Sequence, residues 1–172
     1  MFDDETLREI RDQFHYAASC PYQGERVFFE NAGGSLTLKS VVNRTAELLA
    51  IPDNQGRANV ASVEIAKIIE SGKNDMKVLF RASSGTVFIG ETGTELLGRL
   101  IRSAILVTKG TNIVGSTLEH PATYSACERW AEVVDKEYRR VPFNAETSVV
   151  TAEHYSNYLD LNTGVATIIH AS

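Results

Sequence analysis

Leu7, Ile10 and Phe14 fall three and four residues apart, which places them on one face of a helix over 5–14. Residues 17–24 lose that period and read as a loop, punctuated by Pro21 and Gly24. Val27-Phe28-Phe29 is a short apolar run of strand type, and it leads into Asn31-Ala32-Gly33-Gly34-Ser35. A second helix is predicted over 40–50, with Val41, Val42, Thr45, Leu48 and Leu49 on one side, and Pro52 stops it. The polar stretch 53–59 contains a turn and reads as a surface loop or an active-site flap. A long helix follows over 62–80, with Ser62 as its cap and Ile65, Ile68, Ile69, Met76, Leu79 and Phe80 as its stripe. Gly72 weakens the middle of that helix by about 1 kcal/mol relative to Ala and marks a place for a kink or break.

From residue 86 the periods of strand and helix alternate. Strands are predicted over 86–90, 112–116, 138–141 and 165–171, and helices over 94–106, 122–135 and 151–161. Strands and helices in alternation, joined by short links, mean an α/β fold with a mostly parallel sheet. Ligands bind such sheets outside the carboxyl ends of the strands. Two stretches sit at strand ends of this kind: Gly90-Glu91-Thr92-Gly93-Thr94-Glu95 and Glu119-His120-Pro121. No internal repeat, low-complexity tract or interdomain linker interrupts the pattern. The sequence stops on the β-branched run through Ile168 and Ile169 to Ser172, so a fragment, a truncated reading frame or one half of a split protein is expected.

Composition adds mainly exclusions. The chain has 172 residues, enough for one domain with a sizeable core, and it is 43% apolar and 23% charged. Net charge is −5 and the 17 Lys and Arg residues are scattered, which argues against nucleic acid as a partner. No apolar run approaches the roughly 20 residues a membrane span needs. The acidic start Met1-Phe2-Asp3-Asp4-Glu5 is not a signal peptide, and a cytoplasmic setting is expected. Cys20 and Cys127 form no metal or redox motif and read as buried structural thiols.

Gly90 to Glu95 is neither a Walker A loop nor a dinucleotide Gly-x-Gly-x-x-Gly. It is either an ordinary turn into a helix or a phosphate cradle. In a cradle the Gly93 N–H and the Thr92 and Thr94 hydroxyls would meet the anion at the positive end of the helix dipole. Glu95 is a poor neighbour for an anion unless its side chain swings away. His120 is a candidate base or stacking platform; no second His or Cys lies at ligand spacing, so no metal is expected. Asn31-Ala32-Gly33-Gly34 is either a tight turn or a point of close backbone approach.

Taken in order, Phe29-Glu30-Asn31-Ala32-Gly33-Gly34-Ser35, Thr92-Gly93-Thr94-Glu95, Leu118-Glu119-His120-Pro121 and Val165 to Ser172 resemble the class V aminotransferases. These are pyridoxal-phosphate enzymes of fold type I that include the cysteine desulfurase-like group. The resemblance spans about residues 8–172. It implies part of a three-layer large domain with a mostly parallel sheet, incomplete at the C-terminus. The implied division is an N-terminal helical segment with a substrate-side loop over 1–50, and the first part of the cofactor-binding domain over 51–172.

By that resemblance Gly93 and Thr94 hold the phosphate of pyridoxal 5′-phosphate, and His120 stacks on its ring. Asn31, Ala32 and Gly33 lie over the substrate side, with Asn59 near it. No catalytic residue is implied. The Schiff-base lysine and the aspartate for the pyridine nitrogen have no counterpart, since none of Lys39, Lys67, Lys73, Lys77, Lys109 and Lys136 matches the family's lysine motif. The expectation is therefore a transferase or lyase acting on an amino acid, inactive on this chain alone, and dimeric or completed by a missing C-terminal half. Desulfuration, transamination and epimerisation all stay open. So do two alternatives: a non-catalytic phosphate-ligand or interaction module, and an unrelated Rossmann-like nucleotide binder. The resemblance also implies that the strand over 86–90 lacks its partner, while the other three strands pair among themselves.

Overall fold

A computed structural model describes residues 2–52 and 55–170. Asp53 and Asn54 of the polar stretch, and Ala171 and Ser172 of the last motif, lie outside the described residues. The chain divides into two compact units, Met1–Gly85 and Thr86–Ser172.

The first unit is mostly helical. Helix α1 (Asp4–Asp12) is capped by Asp3, whose side chain accepts from the Thr6 N–H at 2.8 Å. Its acidic first turn and Arg11 in the last turn both suit the helix dipole. The predicted loop over 17–24 contains a two-residue antiparallel hairpin, β1 (Ser19–Cys20) and β2 (Gly24–Glu25). It turns over residues 21–23, and Gly24 at the start of β2 has a φ of 78°, which suits a residue without a Cβ. Helix α2 (Lys39–Leu49) has no side-chain cap; instead the Lys39 N–H donates to Gln13 O at 2.8 Å and Nζ to Asp12 O at 2.6 Å. The start of α2 is thereby fixed to the end of α1.

Helix α3 (Val60–Leu79) corrects the expectation of a break, running through Gly72 for 20 residues. The roughly 1 kcal/mol cost of one glycine is spread over a long cooperative helix. Its cap is Asn59 rather than Ser62: the Asn59 side chain accepts from the Ser62 N–H at 2.8 Å. Val27-Phe28-Phe29 forms no strand, and Phe29 is 88% exposed. Among the described residues of this unit only Cys20 and Ser62 are buried.

The second unit carries the layered fold. Its elements are α4 (Gly93–Val107), β3 (Asn112–Ser116), α5 (Pro121–Val133), β4 (Glu137–Val141), α6 (Ala152–Ser156) and β5 (Thr163–Ala166). The sheet order is β4-β3-β5 and both pairings are parallel. Every residue of β3 is buried, as a central strand requires. On one face Ile113 packs with Ile101 and Ile105 of α4 and with Ala126, Cys127 and Ala131 of α5. On the other, Val114 and Val141 pack with Tyr155 of α6. Fully burying an aliphatic side chain of this size stabilises by about 2 kcal/mol.

Three predicted elements are corrected here. Residues 86–90 form no strand, and Phe88 and Ile89 are both more than half exposed. An apolar run becomes a strand only where a neighbour completes its ladder, and among the described residues none of the three strands pairs with 86–90. Strand β5 starts earlier and ends sooner than 165–171. Thr167 N–H still donates to Val114 O at 2.9 Å, but Ile168 beyond it is exposed. Helix α6 is a short helix of five residues, not eleven, with a capping box between Thr151 and His154.

At the amino end of the sheet a polar network joins the strands. Buried Asn112 donates to Asp160 Oδ1 at 3.0 Å and accepts from Thr163 Oγ1 at 2.7 Å, and Arg139 reaches Asp160 Oδ2 at 2.7 Å. Lys136 Nζ donates to the carbonyls of Ile105 at 2.8 Å and Thr108 at 2.7 Å, closing the C-terminal end of α4.

Candidate functional site

Topology brings the two sequence-predicted stretches of the second unit to one end. Helix α4 leads into β3 through a short link, and α5 leaves β3 through another, so both helices run against the strands. Both therefore begin at the carboxyl end of β3, and they pack on each other over one face of the sheet. Gly93 and Thr94 open α4, and His120 caps α5.

The start of α4 is partly satisfied by its own side chains. Thr92 Oγ1 accepts from the Glu95 N–H at 3.1 Å, and Glu95 Oε2 accepts from the Glu91 N–H at 2.9 Å. This is a near relative of the capping box, and the Thr-x-x-Glu spacing is its sequence signal. The Glu95 carboxylate is paired with Arg99 at 2.7 Å, so it folds back over the loop with its charge matched. The N–H groups of Gly93 and Thr94 have no acceptor among the described residues. A Cβ built on Gly93 meets nothing within 4 Å, which leaves the backbone open to a ligand.

The start of α5 is built differently. His120 Nδ1 accepts from the Ala122 N–H at 3.1 Å, while the ring itself is exposed. With Nδ1 as acceptor, the neutral ring carries its proton on Nε2. Pro121 follows at the first helical position, where its fixed φ suits the helix. Glu119, immediately before, is half-buried, and burial pushes its carboxyl up against the lowering effect of the Ser116 and Ile169 backbone. Nothing in a single sequence separates this carboxyl from a solvated one.

Asn31, Ala32 and Gly33 belong to the first unit. They form an exposed turn in which the Gly33 and Gly34 N–H groups donate to Glu30 O at 3.2 and 3.3 Å. Asn59 acts as the cap of α3. The two lysines of the second unit stand at the opposite end of the sheet from His120. Lys109 lies in the link before β3, and Lys136 precedes β4 with its ammonium held by carbonyls. The thiols are buried, as the composition led one to expect. Burial pushes the Cys127 thiol up to about 11.

A family model described as aminotransferase class-V matches residues 27–172. The chain belongs to the class V aminotransferase family. No curated protein sequence matches it. Among solved structures, a C-DES mutant with glycine covalently linked to its PLP cofactor aligns with TM-score 0.68 and 18% identity, over 91% of this chain and 39% of that one. The cysteine desulfurase CsdA in its S-sulfonic acid form from Escherichia coli aligns with TM-score 0.65 and 15% identity, over 96% and 41%. This class V aminotransferase chain thus spans about two fifths of the length of either structure, and the likeness shows its fold: part of a fold type I large domain.

The residues present fit a phosphorylated, flat cofactor. Two unpaired N–H groups sit at a helix N-terminus with open space over Gly93, and an exposed imidazole stands at the next helix start.

Proposed function

We propose that this chain holds the phosphate and ring of pyridoxal 5′-phosphate for a desulfurase-like or transaminase-like enzyme acting on an amino acid. One observation carries the reading: two helix starts of different chemistry lie at the carboxyl end of β3, one offering N–H donors without an acceptor among the described residues and one a ring. The cofactor, when bound, supplies an electron sink for the bonds at the amino acid Cα. Gly93 and Thr94 orient the phosphate through their N–H groups, and the Thr94 hydroxyl adds a donor. His120 sets the plane of the pyridine ring by offset stacking.

Lys109 and Lys136 are at the wrong end of the sheet to link the cofactor covalently. None of the chain's six lysines matches the family's lysine motif, so in this reading the linking lysine is supplied from elsewhere and the chain alone is inactive. The same lysine placement favours a second reading, a phosphate-ligand module without catalysis. A homodimer and a cytoplasmic setting belong to the proposal as well.

The test is a titration with pyridoxal phosphate, followed by absorbance and by mass after borohydride. The expected result is reversible binding, lost in Gly93→Val and weakened in His120→Ala, with no cofactor fixed to lysine. A lysine-fixed adduct on the native chain would overturn the claim of inactivity. Binding unchanged in Gly93→Val would overturn the site.

A further inference from the structure

Residues 26–30, Arg-Val-Phe-Phe-Glu, have the composition of a strand but no ladder. Arg26 and Phe28 are half-buried, whereas Val27 is 79% exposed and Phe29 88%. That alternation is the period of an extended chain with one face packed and the other open. On the packed face, Phe28 lines a groove with Ile10 and Phe14 of α1. The Arg26 guanidinium lies 5.4 Å from the Phe28 ring centroid, two residues along the same face.

One bond shows which edge of this segment is open. The Arg26 N–H donates to Ala18 O at 2.9 Å, continuing the β1–β2 ladder by one step. Backbone groups alternate between the two edges of an extended chain, so those of Val27 and Phe29 turn away from β1. They have no hydrogen-bond partner among the described residues. Neither Arg26 nor Glu30 has an ion-pair partner among those residues. An exposed apolar edge with unpaired backbone is a template for another strand.

We propose that residues 26–30 pair antiparallel with the same residues of a second copy of this chain, about a two-fold axis through Phe28. Such a contact is isologous, so every pair occurs twice. Bonds are exchanged between outward-turned residues, which lets Val27 face Val27, Phe29 or Asn31 of the other copy. With Val27 opposite Phe29, Arg26 meets Glu30 and Phe28 meets Phe28; the other registers leave both charges opposite uncharged residues. Glu25 then faces Asn31, so no like charges are opposed. The charged pairs also fall at positions without ladder bonds, where Cα atoms approach to about 4.5 Å and side chains are closest. The proposal deepens the homodimer reading and rests on it, but it is independent of the cofactor.

The test is sedimentation of the full 172-residue chain at low salt, from about 5 to about 500 μM. One strand pair is a small interface, so a dissociation constant on the order of 100 μM is expected. Arg26→Glu and Glu30→Arg are each expected to weaken association about tenfold, because each turns two attractive pairs into repulsive ones. Mixing the two variants in equal amounts is expected to restore the native association, since every pair in the mixed dimer is again opposite in charge. The double variant Arg26→Glu/Glu30→Arg gives the same readout if one single variant does not fold. A native chain that stays monomeric at about 500 μM overturns the homodimer and the pairing together. A dimer that the single variants leave unchanged, or a mixture no tighter than its components, overturns the pairing while the homodimer stands.

Discussion

Gly110→Ala is the substitution that most directly probes how the sheet is held. A Cβ at residue 110 would lie 2.2 Å from Gly164 N, 2.4 Å from Gly164 Cα and 2.5 Å from Asn162 O. All three are backbone atoms, so no side chain can rotate away. The turn before β5 must retreat by about 0.8 Å to reach the 3.0 Å that Cβ contacts keep. That movement strains or breaks the two bonds from Thr111 N–H and Asn112 N–H to Asn162 O, at 2.8 and 3.3 Å. Two hydrogen bonds at about 1 kcal/mol each, with about 1–3 kcal/mol of overpacking, give a loss of about 3–5 kcal/mol. Against a typical domain stability of about 5–15 kcal/mol, the unit should be close to unfolding. The chain's single tryptophan, Trp130 in α5, reports on this unit during urea denaturation. Gly93→Ala is the control, since a Cβ there meets nothing within 4 Å. A Gly110→Ala midpoint equal to that of Gly93→Ala would refute the reasoning, because it would mean that β5 gives way without cost.

Lys136→Met should lower stability by about 1–2 kcal/mol, since it removes the ammonium that caps the end of α4 while keeping the aliphatic stem; urea denaturation with the Trp130 signal measures it. Asp160 is held down to about 2 by Arg139, with Asn112 and the Asn162 N–H helping. Its folded value is depressed, so its contribution is present above the ordinary carboxyl range and is lost as pH falls from about 4 toward 2. Asp160→Asn should flatten acid unfolding in that window, and an unchanged acid limb would count against the network. Cys127 is fully buried with its thiol pushed up to about 11, so at pH 8 it should resist iodoacetamide until urea unfolds the second unit, as peptide mass mapping would read.

The sequence made the helices legible wherever one apolar stripe faced one core. Leu97, Ile101 and Ile105 of α4 announced themselves by spacing alone, and all three pack in the same cluster. Strands 112–116 and 138–141 were equally plain, because β-branched residues there meet partners on both sides or at one edge. Residues 86–90 show the limit: Val87, Phe88 and Ile89 have strand chemistry, but a strand is a property of two segments, and no second segment pairs with them. The β1–β2 hairpin is too short for any periodicity to mark it. In the candidate site, Gly93, Thr94 and His120 were legible as residue types at helix starts. The Glu95 fold-back was legible in principle from Thr92-x-x-Glu95, whereas nothing local in the sequence marks Glu119 as half-buried.

The capping of the two helix starts bears on which part of the proposed ligand each would meet. At the start of α5, Pro121 has no N–H, Ala122 gives its N–H to His120 Nδ1, and Thr123 and Tyr124 give theirs to His120 O at 2.9 and 3.0 Å. Every donor of that first turn is either absent or committed, so α5 has nothing for a phosphate and offers only an imidazole face. At the start of α4, Thr92 takes the Glu95 N–H and Thr92 O takes that of Leu96, while the donors of Gly93 and Thr94 have no acceptor among the described residues. An anion gains from α4 and not from α5; an aromatic ring gains from α5 and not from α4. The proposed orientation of the ligand, phosphate toward Gly93 and ring toward His120, agrees with this capping. It hinges on a proline at one helix start and a glycine with open space above it at the other.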